Sequence, residues 1–417
     1  MHDKDLYQRI LGIEAPWKVV DVELDPSLGE VRVHLAHGGV ERTCPECGSA
    51  CRGYDSRPRR WRHLDTCQYR TILVADVPRI ECPDHGVLQI CVPWGERGSR
   101  FTAMFEALVI DWLQEASISA VARQLRLSWE EVDGIMERAV RRGLSRRQRL
   151  LPVHQGVDET SFKKRHEYVT VVSDQDRGVV VHVADGRGRE VLDSFYKSFT
   201  EEERAHSESV AMDMWQPYIA STLEYIADAV RKICFDKFHV ASHLSGAVDK
   251  VRRQENRSLL ETGNPQLKGS KYFWLKNPDN FSAERWESFA PLRTSSLKTA
   301  RAWAIKEFAM QLWNFKSRAW ARKAWLRWYS WAIRSRLEPV KKVARMVKRH
   351  LEGILNAIVR RITNARAEGI NAKIQWIKYT ARGFRNRDRF RTAIYFHLGG
   401  LDLYPEGYAR PQAAFAR

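Results

Sequence analysis

The sequence predicts a multidomain α+β protein in which a β-rich N-terminal module and a pair of helices precede an α/β core. A large all-helical insertion interrupts that core. The chain has 417 residues, which is more than one domain of about 150 residues holds. Hydrophobic residues make up 44% of it, enough for several packed cores. The hydrophobic periodicity alternates in some segments and is helical in others, so strands and helices occupy separate stretches.

The charge balance favours a polyanionic partner over a merely soluble basic protein. Lys and Arg number 69 against 51 Asp and Glu, for a net charge of +18 and a pI near 9.7. Nucleic acid is the commonest partner of such a chain. No apolar run approaches the roughly 18 residues of a membrane span, and the N-terminus lacks the apolar stretch of a signal peptide. We therefore expect a cytoplasmic, nucleoid-associated protein with no membrane partner.

The N-terminal module contains two short cysteine motifs with the spacing of a zinc site. Residues 17–40 alternate apolar and polar residues around "PSLG", which predicts a hairpin. "CPEC" at 44–47 and "CPDH" at 82–85 follow, and two such turns supply four ligands for one tetrahedral, structural Zn²⁺. The predicted ligands are Cys44, Cys47, Cys82 and His85. The other nearby candidates lack this paired spacing, and they are Cys51, Cys67, Cys91 and His63.

A helix-turn-helix is predicted from Ser117 onward, in "SISAVARQLRLSWEEVDGIMERAVRR". Apolar residues recur at helical spacing on both sides of "RLS", and Ser128 with Glu131 forms a capping box. The second helix of such a motif enters the major groove of DNA, although an ordinary αα-hairpin has the same pattern. The arginines that we expect to contact DNA, in this segment, before it and near the C-terminus, are Arg57, Arg59, Arg60, Arg123, Arg126, Arg382 and Arg385. Solvation or helix capping is the alternative role for these side chains.

The central segment predicts strands and helices in the order β-β-β-α-β-α-β. The strands are "QGVDETSF", "EYVTVVSD", "VVVHVADG", "SVAM" and "KICFDKFHV", and "EVLDSFYKSFTEEE" predicts one helix after the third. This order is what a ribonuclease-H-like α/β core needs. Asp158 lies within the first strand, where a buried carboxylate is costly without a partner. Asp213 and Asp236 each end a short apolar strand, and the residues alone do not choose between them.

The stretch from about 243 to 360 predicts a basic, Trp-rich helical insertion. Trp313, Trp320, Trp328 and Trp331 are predicted near one helical face, where packing in a core is favoured over stacking on bases. Some of the basic residues are expected to contact phosphate. Beyond the insertion, "NARAEGINAKI" carries Glu368 among basic neighbours, and taken alone this glutamate is an ordinary surface charge.

Four segments together resemble the bacterial insertion-sequence transposases of the ISL-three group, which are DDE enzymes. The segments are "GVDETSFKKRHEYVTVVSD", "VAMDMWQPY", "FDKFHV" and "NARAEGINAKIQWIKYTARGFRNRDRFRTAIYF". The resemblance covers almost the whole chain, since the group has zinc ribbon, helix-turn-helix, split core and final Glu helix in this order. It implies a catalytic triad of Asp158, Asp213 and Glu368. Asp236 and His239 match a pattern of the broader Mutator-like superfamily. In this chain we expect His239 to support the site, with proton transfer as the alternative role.

The resemblance implies two Mg²⁺ (or Mn²⁺) ions per active site, because in-line phosphodiester attack needs an activated nucleophile and a stabilised leaving oxygen. It further implies cleavage at the terminal inverted repeats, strand transfer into target DNA, and a homo-oligomer on DNA. A non-catalytic zinc and helix-turn-helix regulator, or a structure-specific nuclease, are the alternatives. The predicted segments are residues 1–95 (zinc ribbon), 96–150 (helix-turn-helix), 151–242 (first part of the core), 243–360 (insertion) and 361–417 (final core helix and tail).

Overall fold

The structure is a computed structural model that describes residues 3–39, 42–163, 167–361 and 365–408, without the side chains of residues 163 and 365–368. The chain forms two compact units. The first contains residues 1–147, 395–397 and 401–417, and the second contains residues 148–394 and 398–400. No helix in the described ranges is long and apolar enough to cross a membrane.

The first unit begins with a helix and a five-stranded mixed sheet, α1 (Asp3–Ile10), β1 (Trp17–Asp25), β2 (Glu30–His37), β3 (Arg52–Arg62), β4 (Arg70–Cys82) and β5 (Gly86–Gln89). The order is β1-β2-β4-β3, with β5 paired to β4. The predicted hairpin is confirmed, since β1 and β2 pair antiparallel from Trp17 opposite His37 to Asp25 opposite Glu30. Trp94 packs edge-on against Trp17 and Trp61, which closes the core beneath the sheet.

Three helices complete the first unit, α2 (Ala103–Glu115), α3 (Ile118–Leu125) and α4 (Trp129–Arg146). The predicted capping box is present: Ser128 accepts from the Glu131 backbone N–H, and Glu131 accepts from that of Ser128. A buried ion pair fixes α2 against α4, because the Glu106 carboxylate, 1% exposed, accepts from Arg138 and Arg142. The short turn between α3 and α4 is the predicted one.

The second unit is built on a five-stranded sheet of β6 (His154–Lys163), β7 (Glu167–Asp174), β8 (Val179–Asp185), β9 (Ser209–Met212) and β10 (Ile233–Phe235). Its order is β10-β9-β6-β7-β8. The first three strands form an antiparallel meander, whereas β9 and β10 run parallel to β6. The helices of this layer are α5 (Arg189–Lys197), α6 (Glu201–Ala205), α7 (Gln216–Tyr225) and α8 (Ala229–Lys232).

Two predictions for this unit were wrong in detail. The helix predicted over "EVLDSFYKSFTEEE" is two helices, because Thr200 starts α6 with its own capping box. The fifth strand stops at Phe235. Asp236 caps the next helix instead, its carboxylate accepting from the Phe238 backbone N–H at 3.1 Å, so His239 lies on a helix.

The helical insertion consists of α9 (Lys237–Glu261), α10 (Lys271–Leu275), α11 (Ala283–Arg293), α12 (Lys298–Gln311), α13 (Arg318–Arg334), α14 (Glu338–Arg349) and α15 (Leu351–Arg360). Position 243, where the insertion was predicted to begin, lies inside α9. The last helices are α16 (Ala365–Thr380) and α17 (Arg387–Leu398).

The prediction of one tryptophan face was wrong. Trp313 lies in a 3-10 turn before α13, and within α13 only Trp328 of the predicted set is buried. Trp320 and Trp331 are 63% and 41% exposed. Trp325, which was not in the predicted set, shares the buried face with Trp328. The predicted packing of tryptophans in a core is therefore correct only for the side of α13 that carries Trp325 and Trp328.

Candidate metal centres and DNA-contact surfaces

The four predicted zinc ligands lie together in the first unit. Their ligand atoms are all within 4.8 Å of one another, and the Cys47 and Cys82 sulfurs are 3.8 Å apart. The Nδ1 of His85 lies 3.5 Å from the Cys82 sulfur and 3.8 Å from that of Cys44. Zn–S bonds of about 2.3 Å in a tetrahedron separate the sulfurs by roughly 3.8 Å, so this group fits a closed zinc site.

Local backbone structure sets this arrangement. The first pair of cysteines lies in a tight turn that Gly48 closes at φ 73°, where its N–H donates to the Cys44 carbonyl. The second pair spans the β4–β5 hairpin, because Cys82 ends β4 and His85 lies in the turn. The rival Cys51 lies outside the cluster, with its thiol directed to the Ser49 carbonyl at 3.3 Å.

Within the cysteine group, the surroundings of Cys47 favour the thiolate. The Ser49 hydroxyl and backbone, followed by the Cys44 thiol, hydrogen-bond the Cys47 sulfur and lower its pKa to about 6. A thiolate is the form that binds zinc. Of the other rivals, Cys67 and Cys91 are exposed outside the cluster, and His63 is buried with its Nδ1 2.9 Å from the Thr102 hydroxyl.

In the second unit, Asp158 and Asp213 lie side by side at neighbouring parallel strands. Val157 of β6 stands opposite Met212 of β9; Asp158 is the next residue of β6, and Asp213 is the first residue after the end of β9. The Asp158 carboxylate accepts from the Glu159 backbone N–H at 2.8 Å. That of Asp213 accepts from the Met214 backbone N–H at 2.6 Å. Both side chains are half-buried at the carboxyl end of β9.

The electrostatics of this site favour a cation. Burial raises the pKa of Asp158, and the charge of Asp213 adds to the rise. Burial also raises the pKa of Glu159, with further contributions from Asp158 and Asp213. The Arg187 guanidinium lies 3.9 Å from the Glu159 carboxylate and offsets part of this negative charge. Crowded, partly desolvated carboxylates are stabilised by a hard cation such as Mg²⁺, so the donor set fits that ion.

The second candidate acid and its histidine are adjacent to this pair. His239 places its Nδ1 3.6 Å from the Asp213 carboxylate, on the first turn of α9. Asp236 is 8% exposed and caps α9. A second histidine, His350, packs edge-on against Phe235 of β10. Burial lowers the pKa of His350, and the charge of Asp213 opposes that shift.

Helix α16 lies along β6 and reaches Asp158 through a residue that the sequence did not single out. Asn371 donates to the Asp158 carboxylate. Further along the helix, Gln375 donates to the Thr160 hydroxyl at 3.0 Å. Lys378 donates to the Ser161 carbonyl at 2.6 Å. Residue 368 lies in α16, but its side chain is outside the described part of the chain.

Two site residues were missed, Asn371 and Glu159. Asn371 occurs three residues after Glu368 and therefore one helical turn on, on nearly the same face. Helical spacing from Glu368 was the available signal for it. Glu159 follows Asp158 directly, and strand alternation alone would point its side chain to the other face of the sheet. Only the structure shows that burial, and then the neighbouring Asp158 charge, raises the pKa of Glu159.

The predicted DNA-contact arginines differ in how far they are engaged within the protein. Arg57 and Arg123 are exposed, and Arg59 is partly buried on β3. Arg60 lies 3.6 Å from Glu30. Arg126 has a left-handed backbone at φ 55° and donates to Asp65 and to the Gln68 carbonyl.

The exposed charges in the first turns of α4 are acidic. Glu130 and Glu137 face solvent there, and Arg141 is the first exposed basic residue. The exposed arginines of the helix-turn-helix therefore lie on α3, at its C-cap and on the later turns of α4. In the second unit, Arg382 and Arg385 are exposed between α16 and α17.

Comparison with known proteins gives matches along most of the chain. Residues 156–394 match the family described as "Transposase" of the ISL3 type. Residues 90–140 match the helix-turn-helix domain of transposase family ISL3. Residues 41–85 match the zinc-finger of transposases IS204, IS1001, IS1096 and IS1165.

Curated relatives share nearly the full length of the chain. The transposase for insertion sequence element IS1557 of Mycobacterium tuberculosis is 29% identical over 421 residues, which covers 93% of each chain. The transposase for insertion sequence element IS1001 of Bordetella parapertussis is 27% identical over 388 residues, which covers 92% of each chain. Both alignments thus extend over more than nine tenths of this chain.

Proposed function

The chain belongs to the ISL3 family of insertion-sequence transposases, and from that premise we propose its reaction and its catalytic residues. It binds the terminal inverted repeats of its element and catalyses metal-dependent cleavage of DNA strands and their transfer to target DNA. Asp158, Asp213 and Glu368 are the catalytic carboxylates. The observation that carries this proposal is the pair of half-buried carboxylates at neighbouring positions, one within β6 and one directly after β9.

A ribonuclease-H-like core is the fold proposed for the second sheet. Support comes from the antiparallel meander β6-β7-β8 joined to parallel β9 and β10 in the order β10-β9-β6-β7-β8. In this order the first and fourth strands are neighbours, so acids on them share one edge of the site. Asp213 is preferred to Asp236 for this reason. Asp236 follows the outer strand β10, and its carboxylate caps α9.

The role of Glu368 is supported by the path of α16. Asn371, Gln375 and Lys378 bond in order to Asp158, Thr160 and Ser161 of β6, so helix and strand run in the same direction. Seven helical residues and three strand residues both advance by about 10 Å, so the two backbones stay in step. Position 368 continues this face by one turn, beside the carboxylates.

Two Mg²⁺ or Mn²⁺ ions are the proposed cofactors of this site, held by Asp158, Asp213 and Glu368. When bound, such ions activate the attacking hydroxyl and stabilise charge on the leaving oxygen. Asn371 orients the Asp158 carboxylate, and His239 does the same for Asp213. One structural Zn²⁺ in the cysteine group holds the N-terminal module in shape for binding the DNA ends. Pairing of two ends would require a homo-oligomer on DNA, and action on DNA associates the protein with the nucleoid.

Substitution of the three acids tests the assignment. We expect Asp158→Ala, Asp213→Ala and Glu368→Ala each to abolish Mg²⁺-dependent cleavage of a labelled transposon end, while the affinity for that end stays within about twofold. Asp176→Ala is the matched control, because this residue lies in the β7–β8 turn. A triple variant that still cuts ends would refute the triad. Wild-type protein that binds ends without cutting them under any divalent metal would favour a DNA-binding regulator.

A further inference from the structure

Helix α13 carries a row of aromatic and basic side chains on its outer face. Trp320, Lys323, Arg327, Trp331 and Arg334 are all exposed. Their spacing of three, four, four and three residues keeps them within one narrow strip of the helix, which we call the α13 strip. The opposite side of the helix packs into the core through Ala321, Trp325, Trp328 and Ala332.

The two exposed indoles are large apolar groups left in solvent, although buried positions exist on the same helix. Trp320 is 63% exposed and Trp331 is 41% exposed. Lys323 lies over the Trp320 ring at 5.4 Å, and the 37% exposed Phe308 of α12 contacts Trp331 at a ring-centroid distance of 6.0 Å. Trp331 and Phe308 thus form a small exposed aromatic pair, and Trp320 lies about three helical turns away on the same strip. Exposed apolar groups rimmed by polar residues mark interaction sites.

Among the residues that the structure describes, no carboxylate neutralises the charge of the strip. Helix α13 contains no Asp or Glu. Within the described ranges, the carboxylate Glu352 pairs with Arg318 and Arg322 on another side of the helix. No ion pair joins Lys323, Arg327 or Arg334 to a carboxylate in those same ranges. Lys323 and Arg327 lie between the two indoles, and Arg334 follows the second. Together these side chains form a surface complementary to a polyanion that also has flat apolar groups.

We propose that the α13 strip binds an unpaired DNA strand, with Trp320 and Trp331 stacking on bases and the three cations contacting phosphates. The two tryptophans are eleven residues apart, which is about 16 Å along the helix. That length spans about five stacked nucleotides at roughly 3.4 Å each. Base–aromatic stacking beside a basic track is the common way in which proteins hold single strands.

An unpaired strand fits this surface better than a duplex or a second copy of the chain. In a duplex the base faces are covered by neighbouring base pairs, so an indole has only base edges and sugars to touch. Two copies of the strip facing each other would bring like charges together, which is unfavourable. The inference that this strand is a cut end of the element rests on the proposed function, whereas the binding of an unpaired strand does not.

Binding of full-length protein to a labelled oligothymidylate of about 15 nucleotides tests the proposal, in EDTA so that no cleavage occurs. We expect Trp320→Ala/Trp331→Ala to raise the Kd for this strand about tenfold or more, and to change the Kd for a mixed-sequence duplex less than about twofold. The Phe double variant, Trp320→Phe/Trp331→Phe, should keep most of the affinity. Leu326→Ala is the control, since Leu326 is 38% exposed on the same helix outside the strip.

The charges are tested separately through the salt dependence. Lys323→Gln/Arg327→Gln/Arg334→Gln should reduce the slope of log K against log salt for the single strand by about 2. The proposal is overturned if the tryptophan variants bind the single strand as wild type does, or lose duplex and single-strand binding equally. It is also overturned if they change only the sedimentation of the free protein or its binding to phosphatidylglycerol vesicles. None of these measurements requires catalysis, so a failure of this proposal can be told apart from a failure of the proposed catalytic triad.

Discussion

Asn371 offers the sharpest test of the site, because its amide is the side-chain donor from α16 to the Asp158 carboxylate. A hydrogen bond to a charged group contributes about 1.5 to 3 kcal/mol. Asp158 is half-buried, so the lower end applies, and about 1.4 kcal/mol corresponds to tenfold in affinity. Asn371→Ala should therefore raise the Mg²⁺ concentration for half-maximal end cleavage about tenfold, within the range seen when residues that orient metal ligands are removed.

The assay is a Mg²⁺ titration of cleavage with folded protein, checked by its melting temperature. Gln375→Ala is the matched control, because this residue bonds the neutral Thr160 hydroxyl from the same face of α16. It should change the Mg²⁺ midpoint no more than about threefold, as befits a neutral hydrogen bond of about 0.5 kcal/mol at an exposed position. An unchanged midpoint for Asn371→Ala, or an equal shift for both variants, would refute the positioning role.

Three further predictions concern metal, pH and packing. Cys82→Ser should lose about one equivalent of zinc and weaken end binding, measured by metal analysis and gel shift, whereas Cys51→Ser should do neither. Asp158→Asn should raise the melting temperature of metal-free protein at neutral pH, because burial raises the pKa of Asp158 in the folded state. The charged carboxylate therefore lowers the free energy of unfolding above that pKa, and this destabilisation disappears as the pH falls through it. A constant difference at every pH would contradict this. Gly353→Ala should lower the free energy of unfolding by about 1 to 2 kcal/mol in denaturant titrations. The added Cβ would lie 2.4 Å from a ring carbon of Phe235 in β10, and this overpacking outweighs the helix-propensity gain of about 1 kcal/mol. Stability equal to wild type would show that the ring moves freely.

Local sequence signals predicted much of the fold. The capping box at Ser128 and the hairpin around "PSLG" depend on neighbouring residues only, and both are confirmed. The four zinc ligands came from two paired motifs, and their atoms do meet. The errors occur where a side chain ends one element and begins another. Asp236 was placed in a strand because the apolar run before it suggested one, yet it caps α9.

The sequence by itself determined most element types, the pairing of the two cysteine motifs and the family, since these depend on periodicity, short-range spacing and motif words. Only the tertiary structure decided which long-range partners meet. Asn371 reaches Asp158 across 213 residues; helical spacing could place Asn371 near Glu368, but only the fold brings it to β6. The structure likewise divided the tryptophans of α13 into a buried side and the exposed α13 strip. Both faces have the same residue type in sequence, so burial depends on which side of the helix its neighbours cover.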